Sequence, residues 1–210
     1  MYDLEEQEQI DALKAWWKAH SNLVMTVLVA ACLAAGATAG WRWYRTNQAE
    51  QAAHIYGTVE KAIRANDAKT IKDTAGQLMD KYGSTAYGSM AALMVAKANY
   101  DAGDATSAAA QLKWVVDNVR DEDVAATARV RLAGILLDQK KYDEALALLD
   151  AKHPESFDGL FADRKGDIYT AQGKSTEARA AYKEALDKLP AQGNYRAIVQ
   201  VKLDGLGGAK

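Results

Sequence analysis

Between His20 and Arg42 the chain carries 21 consecutive uncharged residues, Ser21 to Trp41, with the sequence SNLVMTVLVAACLAAGATAGW. As a helix this stretch reaches roughly 31 Å, against about 30 Å of bilayer hydrocarbon. Leu23, Val24, Val27, Leu28, Val29 and Leu33 together favour insertion by about 2–3.5 kcal/mol, with no charge opposing them. Trp16 and Trp17 precede the segment, and Trp41, Trp43 and Tyr44 close it, the placement of aromatic rings at the two membrane interfaces. The expected organisation is a segment over residues 1–22, a transmembrane helix over 23–41 and a second domain over 42–210.

Two other fates for this segment can be weighed on its residues. Ala37-Thr38-Ala39 has the small-residue pattern of a signal-peptide cleavage site, and Val29-Ala30-Ala31-Cys32 has the form of a lipoprotein signal. Against cleavage, five acids (Asp3, Glu5, Glu6, Glu8, Asp11) and only two bases (Lys14, Lys18) precede the segment, where a signal peptide carries a short positive region. Against lipidation, apolar residues continue past Cys32. Charge does not orient the helix, because Lys14 and Lys18 balance Arg42 and Arg45. Gly36 and Gly40, four apart, leave one face smooth enough for a second helix backbone to approach; an abundance of alanine and glycine explains the same pattern.

Beyond the segment lie 23 acids and 24 bases without a basic run, which gives no electrostatic footprint for nucleic acid. Alanine dominates the apolar residues and alternating strand patterns are scarce, so the expected class is all-α. Near the C-terminus, Gly166, Tyr169, Ala178, Tyr182, Ala185 and Pro190 fit tetratricopeptide consensus positions 8, 11, 20, 24, 27 and 32. Small residues there let two antiparallel helices close, and large ones fill the seam. Residues 138–150 align with 171–183, pairing Ala145 with Ala178 and Leu149 with Tyr182, and residues 100–112 place Ala108 and Leu112 at the same points. Residues 46–65 and 68–80 form a degenerate first pair, and Tyr195 to Leu206 a capping helix. The expected fold is a tetratricopeptide-like α-solenoid. No proline interrupts Trp41 to Arg64, so the membrane helix is expected to run directly into the first solenoid helix.

Chemistry-bearing constellations do not emerge. His20, His54 and His153 are far apart in sequence and lie outside metal-ligand spacing. Cys32, the single thiol, has no base beside it in sequence to activate it. The terminal GLGGAK lacks the strand, hydroxyl and helix of a phosphate loop. Asp121-Glu122-Asp123 reads as acids opening a helix. The expectation is a binding protein, not an enzyme, with no cofactor and no metal.

The glutamate-rich start followed by EQIDALKAWWKAH (Glu8 to His20), one apolar helix ending in GWRWYRTNQ (Gly40 to Gln48), and degenerate repeats to the C-terminus resemble the YfgM family, ancillary subunits of the bacterial SecYEG translocon. The resemblance implies a bacterial inner-membrane protein of single-pass type II topology, its N-terminus cytoplasmic and its repeats periplasmic. It further implies as partners the translocon, a PpiD-type periplasmic chaperone and exported polypeptides, which the protein would help pass to periplasmic chaperones. The alternative is an envelope assembly or cell-division scaffold, built as a repeat lipoprotein or secreted repeat protein.

In a tetratricopeptide stack, consensus positions 2, 5, 9 and 12 of each first helix face the concave groove. Applied here they give Met90, Leu93, Lys97 and Tyr100; Thr127, Val130, Gly134 and Leu137; and Leu160, Asp163, Asp167 and Thr170. The expected groove is apolar in part, with a negative patch at Asp163 and Asp167; misregistration by one or two positions would make most of its apolar residues core.

Overall fold

The computed structural model describes residues 2–207, and their side chains from residue 7 onward. It is helical throughout the described residues apart from short turns. The chain divides into two compact units, Met1–Glu50 and Gln51–Lys210.

Helix α1, Tyr2–Arg64, provides all the described structure of the first unit. Its apolar segment is long and apolar enough to cross a membrane. Side chains of Leu23, Val27, Leu28, Val29 and Leu33 are exposed around the helix, Leu33 at 69%. A sequence apolar on all sides of a helix needs an apolar surrounding, which this unit does not supply from its own residues. The hydroxyls inside the segment turn back on the backbone: Thr26 donates to the Asn22 carbonyl at 2.7 Å and Thr38 to that of Ala35 at 2.9 Å. Such bonds are what a hydroxyl without water requires. Trp16 stacks on His20 with ring centroids 5.0 Å apart.

The second unit begins with the end of α1 and continues through α2 (Ala68–Tyr82), α3 (Ala86–Asp101), α4 (Ala105–Asn118), α5 (Glu122–Asp138), α6 (Tyr142–Leu149), α7 (Asp158–Ala171), α8 (Ser175–Lys188) and α9 (Asn194–Gly205). A 3₁₀ turn, Glu155–Phe157, precedes α7. Each helix from α2 to α9 packs chiefly on its neighbours in sequence, with α5 also on α7, the quasi-one-dimensional pattern of a solenoid. The second compact unit starts at Gln51, within α1.

One turn recurs within the helix pairs. Asn66, Gly103, Lys140 and Gly173 all have positive φ, between 54° and 84°, and stand 37, 37 and 33 residues apart. In each case the next amide reaches five residues back along the helix: Asp67 to Ala62 at 3.0 Å, Asp104 to Asn99 at 2.8 Å, Lys141 to Leu136 at 2.8 Å and Lys174 to Tyr169 at 2.9 Å. This is the Schellman closure of a helix C-terminus, which favours glycine because its φ is positive. The turn joining α1 to α2 is therefore that of the other three pairs, although this pair lacks a clear consensus in sequence. Asp67, Asp104 and Asp121 cap the following helices, accepting from backbone amides at 2.9–3.1 Å.

The seams are closed by small residues. Ala108, Ala145 and Ala178 are wholly buried at equivalent points of α4, α6 and α8. A Cβ added to Gly166 of α7 would collide with the Tyr182 ring of α8, so this pair closes only with glycine. Repeat three departs from the regular form. Helix α6 has 8 residues against 14 in α4 and α8, and the chain after it folds back through Pro154. There His153 stacks on Phe161, centroids 3.7 Å apart, and its Nε2 lies 3.3 Å from Asp158.

Two stability predictions follow from the seam and the turn. Arginine at buried Ala178 should overpack the seam and cost several kcal/mol, on the order of 3, whereas Ala180→Arg on the exposed side of the same helix should cost less than about 0.5. Equal urea midpoints for the two variants would show that α8 packs by another face. Lys140 adopts positive φ without being glycine, so Lys140→Gly should stabilise by about 0.5–1 kcal/mol. Gly173→Val, at the equivalent turn, should lower the melting temperature.

Candidate functional site

Helices α3, α5 and α7 are the first helices of their pairs, and the expected groove positions all lie on them. On α3, Met90 and Tyr100 are each 47% exposed, Lys97 is also exposed, and Leu93 is half-buried. On α5, Thr127, Val130, Gly134 and Leu137 are half-buried, and Val130 and Leu137, like Leu93, pack against the central core. They line the wall of the solenoid more than they project from it. On α7, Leu160 is half-buried and Thr170 exposed.

The two α7 carboxylates are not the open negative patch that their spacing suggests. Asp163 is 1% exposed. It accepts from the Tyr195 hydroxyl at 2.6 Å, and both of its oxygens lie 2.9 Å from Lys202 Nζ. Asp167 sits 2.8 Å from the same Lys202, 3.2 Å from Arg164, and accepts from the Tyr182 hydroxyl at 2.9 Å. Burial, followed by these carboxylates, holds both phenols well above their usual pKa. The cluster is a latch between α7 and the capping helix α9. Further contacts secure that cap: Arg196 donates to the carbonyls of Leu186 and Leu189, Arg179 to those of Leu206 and Gly207, and Val199 is fully buried.

The solenoid opens into a cavity of about 470 Å³ among α3, α5 and α7. Three expected positions, Lys97, Tyr100 and Gly134, line it, and so do Arg131, Asp138 and Arg164, which the consensus positions miss. Arg131 and Arg164 both occupy position 6 of their repeats, 33 residues apart, so a second basic register beside positions 5 and 9 was the available signal. Lys97 pairs with Asp101 at 2.5 Å, and the Tyr100 hydroxyl donates to Asp138 at 2.7 Å. That hydrogen bond and the Asp138 charge hold the Tyr100 phenol above its ordinary pKa. Gly36 and Gly40 lie on α1, where a Cβ on either would meet nothing within 4 Å. No group of three or more histidine, cysteine or acidic side chains able to hold a metal occurs among the described residues.

Stacked helix pairs, a latched capping helix and an N-terminal helix able to cross a bilayer define an α-solenoid repeat protein of the tetratricopeptide kind. A family model described as a tetratricopeptide repeat-like domain matches residues 14–208. Three curated relatives, each named "Ancillary SecYEG translocon subunit", align over nearly their whole length. The protein from Neisseria gonorrhoeae is 37% identical over 97% of this chain and 98% of its own. The one from Haemophilus influenzae is 31% identical over 88% and 90%, and that from Escherichia coli 26% over 96% of each. The chain belongs to the YfgM family of tetratricopeptide-like proteins.

The latch predicts that Asp163→Ala, which removes one of the two carboxylates on Lys202 and the acceptor of the Tyr195 hydroxyl, destabilises the C-terminal end by about 2 kcal/mol. Hydrogen exchange should report it first in α9. Unchanged protection of Val199 and its neighbours would show that the apolar contacts of α9 hold it without the latch.

Proposed function

We propose that this protein is an ancillary subunit of a bacterial SecYEG translocon. In this reading residues 23–41 cross the inner membrane, residues 1–22 face the cytoplasm, and the repeats beyond residue 42 stand in the periplasm. There the solenoid serves as a non-enzymatic scaffold that receives exported polypeptides and passes them on together with a PpiD-type chaperone. The observation that carries this reading is the full-length alignment with relatives named for the translocon, spanning both the apolar helix and the repeats. Support comes also from α1, whose exposed apolar side chains need lipid, and from a solenoid that presents Met90, Lys97 and Tyr100 along one side of α3. An extended repeat surface with its own core is suited to holding a partner while remaining folded.

Extraction in mild detergent should co-purify the translocon subunits with the full-length chain, and intact mass should retain residues 1–41 with no lipid on Cys32. Protease added to spheroplasts should degrade the repeats and leave an N-terminal fragment. Absence of the translocon from the purified material would overturn the reading, and protection of the repeats would reverse the topology. Photo-crosslinkers at Met90 and Lys97 should capture partners more efficiently than those at the exposed second-helix positions Lys113 and Lys183. Equal capture would move the partner surface off the first helices.

A further inference from the structure

The cavity among α3, α5 and α7 carries more positive hydrogen-bonding capacity than its own residues use. Three cations line it, Lys97, Arg131 and Arg164. Lys97 is paired with Asp101, and Arg164 is held by Asp167 through one terminal nitrogen. Arg131 is exposed and makes no ion pair among the described residues. The Nε of Arg164 is buried and has no acceptor among them. Two carboxylates share the lining, Asp101 paired with Lys97 and Asp138 accepting from Tyr100 at 2.7 Å, so three cations face two acids. A buried donor without an acceptor is destabilising, and a guanidinium fork matches a carboxylate.

The remainder of the lining is apolar. Ala96, Leu112 and Ile135 reach the cavity and are almost fully buried, Ile135 the most exposed of them at 5%, so they form its floor. A lone carboxylate fills a small part of a space of about 470 Å³ and leaves that floor wet. An acidic side chain on an extended backbone, flanked by aliphatic residues, satisfies the arginines and covers the floor together. Met90 and Leu93, one to two turns before Lys97 on α3, extend the apolar track along the same helix.

We infer that this cavity is a carboxylate-reading site, in which Arg131 and Arg164 hold a glutamate or aspartate side chain of an extended, aliphatic-flanked segment of a partner protein. The site rests on the scaffold reading above and names the chemistry by which that scaffold selects its occupant. Charge complementarity points to an acidic segment and not to a basic or neutral one. Arg131 supplies the exposed arm that engages first, and Arg164, held in place by Asp167, the second guanidinium of the wall. Tyr100, its hydroxyl fixed by Asp138, offers a ring at the cavity wall.

The test uses full-length protein in nanodiscs and three blocked peptides identical except at the centre, where glutamate, glutamine or lysine stands between two leucines. Fluorescence anisotropy should show the glutamate peptide binding roughly tenfold tighter than the glutamine peptide, the size of one charge-assisted pair, with the lysine peptide weakest. The preference should shrink as salt rises. Arg131→Gln should abolish the difference between glutamate and glutamine peptides, and its unchanged melting temperature should show that the exposed side chain has no structural role. Inorganic phosphate should not displace the peptide. Equal binding of glutamate and glutamine peptides by the unmodified protein, or full displacement by phosphate, overturns the proposal without reference to any variant. Co-purification of the translocon with the unmodified protein is read separately. Its presence without a glutamate preference sinks the carboxylate site alone, whereas its loss with the preference intact sinks the translocon reading and leaves the site standing.

Discussion

The solenoid depends on how closely two antiparallel helices can approach at a seam made of alanine and glycine. Gly166 admits the Tyr182 ring where any Cβ would collide with it, and Ala108, Ala145 and Ala178 repeat the close approach in the other pairs. Alanine buries little surface per residue, so stability accumulates through many tight contacts and each pair leans on the next. Large side chains enter only where the seam leaves room, as Leu112, Leu149 and Tyr182 do on the second helices. This arrangement explains how a core rich in alanine holds together: packing density substitutes for side-chain volume.

Much of this was legible because the seam constrains residue size at fixed intervals. The last pair could be read directly from Gly166, Ala178 and Tyr182. The first pair could not, and its residues explain why. At the points equivalent to Ala108 and Leu112 stand Ile71 and Ala75, so the small and large positions are exchanged; Ala75 is buried and Ile71 packs at the edge of the core. Volume is conserved across the seam while the consensus disappears. The recurring turn was hidden similarly. Only Gly103 and Gly173 announce it, since Asn66 and Lys140 adopt the same positive φ held by the same backbone bond.

The helices that carry the candidate positions were legible, and the surroundings of those positions were not. Spacing placed the groove residues on α3, α5 and α7, and Lys97, Tyr100 and Gly134 do line the cavity. Spacing also put Asp163 and Asp167 on one face of α7, but it could not tell that α9 would cover them. Whether a carboxylate meets solvent or Lys202 depends on a helix more than thirty residues away, information that local periodicity does not carry. Arg131 and Arg164 were overlooked for the opposite reason. They share a register one position from the groove consensus, and long side chains reach a cavity from there.

The two carboxylates of α7 and the arginine between them show how one helix divides its charges between fold and function. On α7, Asp163 and Asp167 are paired with Lys202 of the cap and accept from the Tyr195 and Tyr182 hydroxyls, which lets a solenoid end without exposing its last seam. Arg164, between them in sequence, gives one nitrogen to Asp167 and turns its buried Nε to no internal acceptor. The latch therefore fixes the orientation of the guanidinium that faces the cavity. Through Asp167, a group that seals the C-terminal end also holds a cation in place for a ligand. A repeat domain close to overall neutrality thus presents a local site in which three cations, Lys97, Arg131 and Arg164, face two carboxylates, Asp101 and Asp138.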